Sequence, residues 1–223
     1  MTARRIRVDM HTHCEASPDS LTPVRVQAAR IKETGLDVVF ATDHDTVDGA
    51  LRLRELADGY RLVVGEEITS ADGDLVGLFL ERAVPPRLSG EETIARIQEQ
   101  GGLVCIPHPF SRNRNHRIRR AALERLWPLA DCIETFNARE AFAADNERAA
   151  AFAAEHGIPA ALGSDAHTPW ELGRVHLEMD DFSDPQSFLA SLRGGTAHGA
   201  LAGLGVHVLT RYAKVVKWLS ARR

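Results

Sequence analysis

Short apolar, β-branched runs recur along the chain, each followed by a polar cluster and then by a stretch with helical spacing. The runs are IRVDM (6–10), LDVVFA (36–41), RLVVG (61–65), LVCIP (103–107), DCIETF (131–136), IPAALG (158–163) and RVHLEM (174–179). Continuous apolar runs of this length suit strands covered on both faces. Helix punctuation lies between them. Thr22-Pro23 opens a helix that Gly35 ends. Ser89 and Glu92 read as a capping box ahead of TIARIQEQ, which stops at Gly101-Gly102. Ser183-Asp184-Pro185 opens FLASLR, which stops at Gly194-Gly195. Strand, loop and helix repeated about seven times predict βα units with right-handed crossovers, an α/β fold. A barrel is favoured over an open sheet. No GxGxxG or P-loop follows any run, and polar clusters close nearly all of them.

The last segment differs. From about Gly205, VHVLTRYAKVVKWLSARR places Leu209, Tyr212, Val216 and Leu219 on one helical face. Arg211, Lys214, Lys217, Arg222 and Arg223 fall mostly elsewhere. The expectation is a C-terminal amphipathic helix, residues 205–223, that packs its apolar face on the barrel and leaves a basic face in water. The sharper alternative is a basic helix that touches membrane or RNA. No Ser/Gly/Pro linker divides the chain, so residues 1–223 are expected to form one domain.

Composition narrows the class. The chain has 223 residues, 44% hydrophobic and 26% charged, as expected for a soluble globular protein. LVGLFL is far shorter than the roughly 20 residues a bilayer span needs, so no membrane insertion is expected. The basic start MTARRIRVDMHTH has no apolar stretch behind it and does not read as a signal peptide. A net charge of −4 gives no global pull toward nucleic acid. Cys14, Cys105 and Cys132 form no CxxC pair, and their odd number argues against a disulfide framework; the expected compartment is the cytoplasm.

Ten histidines against two tyrosines change the picture. His11-Thr-His13 ends the first run, and alternate residues on a strand share a side. Later runs end in Asp43-His44-Asp45, Gly65-Glu66-Glu67, Pro107-His108-Pro109 and Ser164-Asp165-Ala166-His167. In a barrel the carboxyl ends of the strands converge on one face. Five histidines and several carboxylates in one small volume would be costly unless cations compensate them. Nitrogen and carboxylate oxygen without thiolate suit Zn, Mn or Fe, and the donors are too many for one tetrahedral ion.

The order HTH, a following Asp, DHD, GEE, HPF and GSDAH resembles the PHP (polymerase and histidinol phosphatase) family of metal-dependent phosphoesterases over about residues 6–180. It is similar in particular to short bacterial members, whose HPF, IETFNAR and GSDAH segments belong to a PHP-associated region. The resemblance implies a distorted (β/α)7 TIM-like barrel and two to three divalent ions. It places one ion on His11, His13, Glu66 and Asp165, a second on Glu66 as bridge with His108, and a third on Asp19, His44 and His167. Catalytic roles for Glu66, Asp165 and His167 follow. Two positions depart from the family pattern. Ser17-Pro18-Asp19-Ser20 stands where Ser-Asp-Gly is usual. Gly73-Asp74 stands where many members carry a histidine, so Asp74 is either a ligand of the second ion or a turn residue.

The implied activity is hydrolysis of a phosphomonoester, or of a small nucleotide or oligonucleotide phosphodiester, by a metal-bridging hydroxide. The partner is thus a small phosphorylated substrate. The segment SRNRNHRIRR (111–120) supplies Arg112 and Arg114 as candidate phosphate ligands. Asn137 and Arg139 of FNAR are candidate substrate contacts. His116 is either a general acid or a surface histidine. Cys14 reads as a small buried residue, His156 as structural, and Trp170 as packing, or as a wall or base-stacking group at the pocket. Two rivals remain. An amidohydrolase-type C–N hydrolase would have no use for the arginines. A catalytically degenerate PHP binding module would not need so complete a ligand set.

Overall fold

A computed structural model describes residues 4–203 and 205–220. Among the described residues nine strands form one sheet in the order β7-β6-β5-β4-β3-β2-β1-β8-β9. They are β1 (Arg5–Thr12), β2 (Val38–Ala41), β3 (Arg61–Ser70), β4 (Gly73–Leu78), β5 (Leu103–Ile106), β6 (Cys132–Asn137), β7 (Ala160–Gly163), β8 (Val175–Asp180) and β9 (Thr196–Gly199). The helices are α1 (Val24–Thr34), α2 (Asp48–Glu55), α3 (Gly90–Gln98), α4 (Arg120–Leu126), α5 (Ala143–His156), α6 (Pro185–Leu192) and α7 (Gly205–Ser220). The punctuation in the sequence is used largely as expected. Gly35 caps α1 at φ 69°, a left-handed conformation that suits glycine. Ser89 and Glu92 form the capping box of α3, and Asp184 caps α6 with Pro185 in its first turn.

The sheet curls into a distorted barrel. β1, β2 and β3 are parallel, as are β5, β6 and β7. Between these trios β4 runs antiparallel to both neighbours. At the carboxyl ends β7 returns to β1: the Asp165 amide donates to the His11 carbonyl at 2.8 Å, and the His13 amide to the Ala166 carbonyl at 2.9 Å. The amino-terminal half of β1 instead pairs antiparallel with β8. All seven expected runs are strands. β3 extends past Gly65 to Ser70 because it forms a hairpin with β4, a strand absent from the expected runs although LVGLFL overlaps it.

Two apolar layers hold this shape. Val39, Val64, Ile68, Val104 and Ile133 of the strands pack with Leu53, Ile97 and Leu123 of the helices. Ile6, Val8, Val38, Phe40, Val63 and Leu177 fill the strand-lined interior. Phe188 of α6 joins that interior against Phe40, 5.2 Å between rings. α6 thereby closes the barrel near the strand starts, and the polar residues at the strand ends keep the opposite mouth. No helix among the described residues is long and apolar enough to cross a membrane.

α7 docks through a different face from the one expected, a mixed one on which Thr210 and Lys217 flank Val206 and Ala213. Its buried residues are Val206 and Ala213, while Leu209, Tyr212 and Leu219 are exposed. The reason is the surface it meets. Lys217 donates to the carbonyls of Glu15 and Ser17, Arg139 donates to the Val206 carbonyl, and Lys214 lies 3.3 Å from Asp19. The mouth of the barrel is rich in carboxylates and carbonyls, so it draws the lysines. Arg222 and Arg223 lie outside the described residues.

Candidate metal centre

The loops at the carboxyl ends of β1, β2, β3, β5 and β7 converge. Three groups, two of them sharing His13, each have donor atoms within 4.8 Å of one another: His11, His13 and Asp165; His13, His44 and His167; and Glu67, Asp74 and His108. Asp19 joins the second group, 3.2 Å from His167 Nε2 and 3.6 Å from His44 Nε2. His108 and Asp165 sit at φ 30° and 52°. Non-glycine residues in that region cost ~1–3 kcal/mol each, a strain that collects at functional sites.

The glutamate at the centre is Glu67. Its Oε2 lies 3.1 Å from His11 Nε2, 3.3 Å from His13 Nε2 and 3.4 Å from His44 Nδ1, and its Oε1 lies 2.9 Å from His108 Nε2. Glu66, expected here, is not brought into the cluster. Neighbours on a strand face opposite ways. Val64 and Ile68 belong to the sheet–helix layer, so Glu66 follows them, and its Oε2 accepts from the Val84 amide at 2.7 Å. Burial pushes the Glu66 carboxyl up to about 7.

Three imidazoles are held in one tautomer. His13 Nδ1 is 3.0 Å from Ser17 Oγ, whose hydroxyl donates to Asp43 Oδ1 at 2.7 Å. Ser17 therefore accepts the Nδ1 proton. His11 Nδ1 donates to Glu134 Oε1 at 3.0 Å, and His167 Nδ1 donates to the Asp165 carbonyl at 2.8 Å. In the neutral ring Nε2 of His13 and of His167 then carries a lone pair turned toward carboxylate oxygen. Burial would lower His11, but Glu134, Glu67 and Asp165 raise it well above its ordinary value, so its Nε2 shares a proton with Glu67 until a cation replaces it. Burial and Arg139 lower the His167 pKa to about 4, which leaves Nε2 and Asp19 Oδ1 as two acceptors face to face.

This arrangement fits divalent ions. His13 Nε2, Asp19 Oδ1, Asp74 Oδ1, His108 Nδ1 and Asp165 Oδ1 are buried without a hydrogen-bond partner. His13 Nε2 is within 3.2 Å of Asp165 Oδ1, yet the two are not aligned as a hydrogen bond. Acceptors that crowd without bonding need a cation between them. Protons can do part of that work: burial would lower His44, but Glu67 and Asp19 raise it to about 10. Burial and the Glu67 charge push Asp74 up to about 8.

The other expected site residues divide. Arg114 reaches the cluster: it pairs with Asp165, is 3.3 Å from Glu140, and donates to Asn137 Oδ1 at 3.1 Å. Asn137 donates to Asp165 at 3.2 Å and to Glu134 at 3.0 Å. Arg112 turns away, to Asp145 at 2.8 Å and over the Phe142 ring. Arg139 is buried against Glu171 at 3.0 Å and is spent on holding α7. His116 is exposed and meets the site through its carbonyl, which accepts from the Asp74 amide. Cys14 is buried, its thiol donating to Asp43; burial and that carboxylate raise its pKa, so it offers no thiolate. His156 stacks on Phe152 at 4.1 Å.

Sequence reasoning passed over Glu67, Glu134, Ser17 and Asp43. Glu134 orients two histidines, binding His11 Nδ1 with one oxygen and the His108 amide with the other at 2.8 Å. Strand alternation, applied inside GEE and IETF, was the available signal.

Several known proteins are similar to this chain. The PHP-associated family model matches residues 143–197. An uncharacterized protein of Methanocaldococcus jannaschii is 37% identical over 146 residues, covering 60% of this chain and 82% of its own length. A second from that organism is 30% identical over 199 residues, covering 84% and 79%. Among solved structures, PsfC of Pseudomonas syringae superposes with a TM-score of 0.69 at 18% identity, covering 96% of this chain and 98% of that one. A two-domain protein of Bacteroides vulgatus containing a predicted PHP-like metal-dependent phosphoesterase gives 0.68 at 18% identity, covering 89% and 66%. An amidohydrolase of Chromobacterium violaceum gives 0.61 at 18% identity, covering 74% and 88%.

Proposed function

The chain belongs to the PHP (polymerase and histidinol phosphatase) family, and from that premise we propose that it is a metal-dependent phosphoesterase acting on a phosphomonoester or a small nucleotide or oligonucleotide phosphodiester. One observation carries the reading. Three donor groups, two of which share His13 and the third of which reaches them through Glu67, are edged by two further cations, Arg114 beside Asp165 and Lys214 beside Asp19. Such a mouth suits a substrate that brings several negative oxygens. An amide brings none at its reacting carbon and makes less use of cations at this rim.

In this reading His11, His13, Asp165 and Glu67 hold one ion, Glu67, Asp74 and His108 a second, and Asp19, His44 and His167 a third. The ions are Zn, Mn or Fe by donor chemistry. When bound they supply Lewis acidity and a nucleophile at neutral pH. The chain's own residues do the positioning. Glu134, Ser17 and the Asp165 carbonyl fix the imidazoles of His11, His13 and His167 so that Nε2 faces inward. Asp43 holds Ser17 and the Cys14 amide, tying the loop after β1 to that after β2. Arg114 and Asn137 set the orientation of Asp165 and place a fixed positive charge at the rim. No side chain is assigned as nucleophile.

The test is phosphate release from chromogenic and natural phosphate esters after loading with Mn²⁺, Zn²⁺ or Fe²⁺. Turnover that disappears with chelator and in Glu67→Gln is the expected result. Metal-loaded protein that cleaves amides but no phosphate ester would overturn the reading.

A further inference from the structure

A pocket of about 240 Å³ opens beside the Asp19–His167 end of the centre. It lies between α7 and the loops that follow β1 and β7. Asp19 and His167 form its polar end, and Leu21, Trp170, Leu209 and Tyr212 its walls. All four wall residues are exposed, Trp170 by 56% and Tyr212 by 62%. Single exposed apolar residues mean little, but four gathered around one opening mark a binding surface. Their chemistry narrows the ligand. The pocket's three threonine hydroxyls are engaged: Thr22 Oγ1 donates to the His167 carbonyl at 2.8 Å, Thr168 Oγ1 to Glu171 at 2.7 Å, and Thr210 Oγ1 to the Val206 carbonyl at 3.4 Å. A sugar placed there would give up water and gain few partners. A flat apolar ring gives up nothing. An apolar cavity of about 150 Å³ accepts a benzene ring, so this volume suits one ring with its linking atoms.

We propose that this pocket is the leaving-group subsite and selects phosphate esters of an aromatic alcohol, with the ring between Trp170 and Tyr212 and the ester oxygen at the Asp19–His167 end. The proposal rests on the phosphoesterase reading. α7 then supplies both sides of the join, Tyr212 as wall and Lys214 as a cation 3.3 Å from Asp19. In the reaction an electron pair of water's oxygen forms the new bond to phosphorus. The P–O(aryl) bond breaks and its pair leaves on the aryl oxygen. One water proton ends on that oxygen, so the products are inorganic phosphate and a phenol. An aryl oxide, with a pKa of about 10 as in tyrosine, leaves without requiring a protein acid.

Calorimetric titration of the Mn²⁺-loaded protein with phenylphosphonate and ethylphosphonate tests the pocket without turnover, since neither has an ester bond. The parent should bind the phenyl compound about tenfold more tightly or better. Tyr212→Ala and Trp170→Ala should each bring that ratio to within about threefold of one, because the ring loses a partner face. Val208→Ala, an exposed residue of α7 outside the pocket walls, should leave the ratio alone. No phenyl preference in the parent, or a preference that survives both substitutions, overturns the subsite. Phosphate release from phenyl phosphate is read separately. A binding preference without turnover overturns the phosphoesterase reading but keeps an aromatic-anion site; turnover without the preference does the reverse.

Discussion

Glu66 and Glu67 are adjacent and chemically identical, yet their surroundings give them opposite tasks. Glu67 lies among four histidines, so its charge is what gathers cations. Glu67→Gln should remove at least one ion per chain by elemental analysis and slow phosphate release by on the order of 100-fold or more. Retention of full metal content would refute the central assignment. Glu66 lies in the sheet–helix layer with its pKa raised from 4.5 to about 7. The folded chain thus keeps a proton that the unfolded chain releases. The stability this contributes is complete below pH 4.5 and is lost as pH rises through 7. Glu66→Gln, measured by denaturant titration of chelator-treated protein, should lose less stability between pH 5 and pH 8 than the parent. Its metal content should not change. Gly163 is the third residue whose role is local. A Cβ there would lie 2.2 Å from His11 Cβ and 2.7 Å from Glu134 Oε1. Gly163→Ala should therefore cost about 1–3 kcal/mol by overpacking, visible as a lower Tm, and should disturb the His11–Glu134 pair.

Elements show the same dependence on what they meet. α7 is amphipathic by sequence, and that pattern predicts an apolar face turned inward. The barrel mouth shifts the choice, since Ser17 and Glu15 carbonyls and Asp19 offer more to Lys217 and Lys214 than to leucine. Lys217→Met keeps the aliphatic stem and removes the donors. Hydrogen exchange should then be faster along 205–220 and unchanged in β1 to β3, since about 1–3 kcal/mol of docking is lost when carbonyls lose a charged donor. Equal exchange in parent and variant would show that Arg139 and Lys214 hold the helix without Lys217. β4 teaches a related lesson. Its apolar residues carry no helix signal, and its direction follows only from the short Ala71–Asp72 turn that sends it back along β3.

At the scale of the whole molecule, closure of the barrel and assembly of the centre are one event. β7 meets β1 through the residues that carry His11, His13, Asp165 and Ala166. Ions held there bind the folded chain alone, so they should stabilise all of it. At about 100 times its Kd a single ion adds ~2.7 kcal/mol, which for a chain of this size is several degrees. Calorimetry with Mn²⁺ and then with excess chelator should show that rise and its reversal. An unchanged Tm would argue against ions at this junction.

The strand runs, the helix punctuation and the identities of most donors were legible from the order of residues, because burial period, capping and donor chemistry are local properties. Asp19 and Asp74 came from the resemblance to the PHP family, Asp74 as either a ligand or a turn residue, and both lie at the centre. The sequence alone also indicated where Arg112, Arg114 and Arg139 fall along the chain, but not which of them meets the cluster. Arg112 found Asp145 and Arg139 found Glu171, partners 33 and 32 residues away. Which glutamate of GEE faces inward depended on which face of β3 the helices cover, and which face of α7 is buried depended on the charge of the barrel mouth. Those are properties of surfaces that exist only once distant strands have come together, and tertiary structure decided them for that reason.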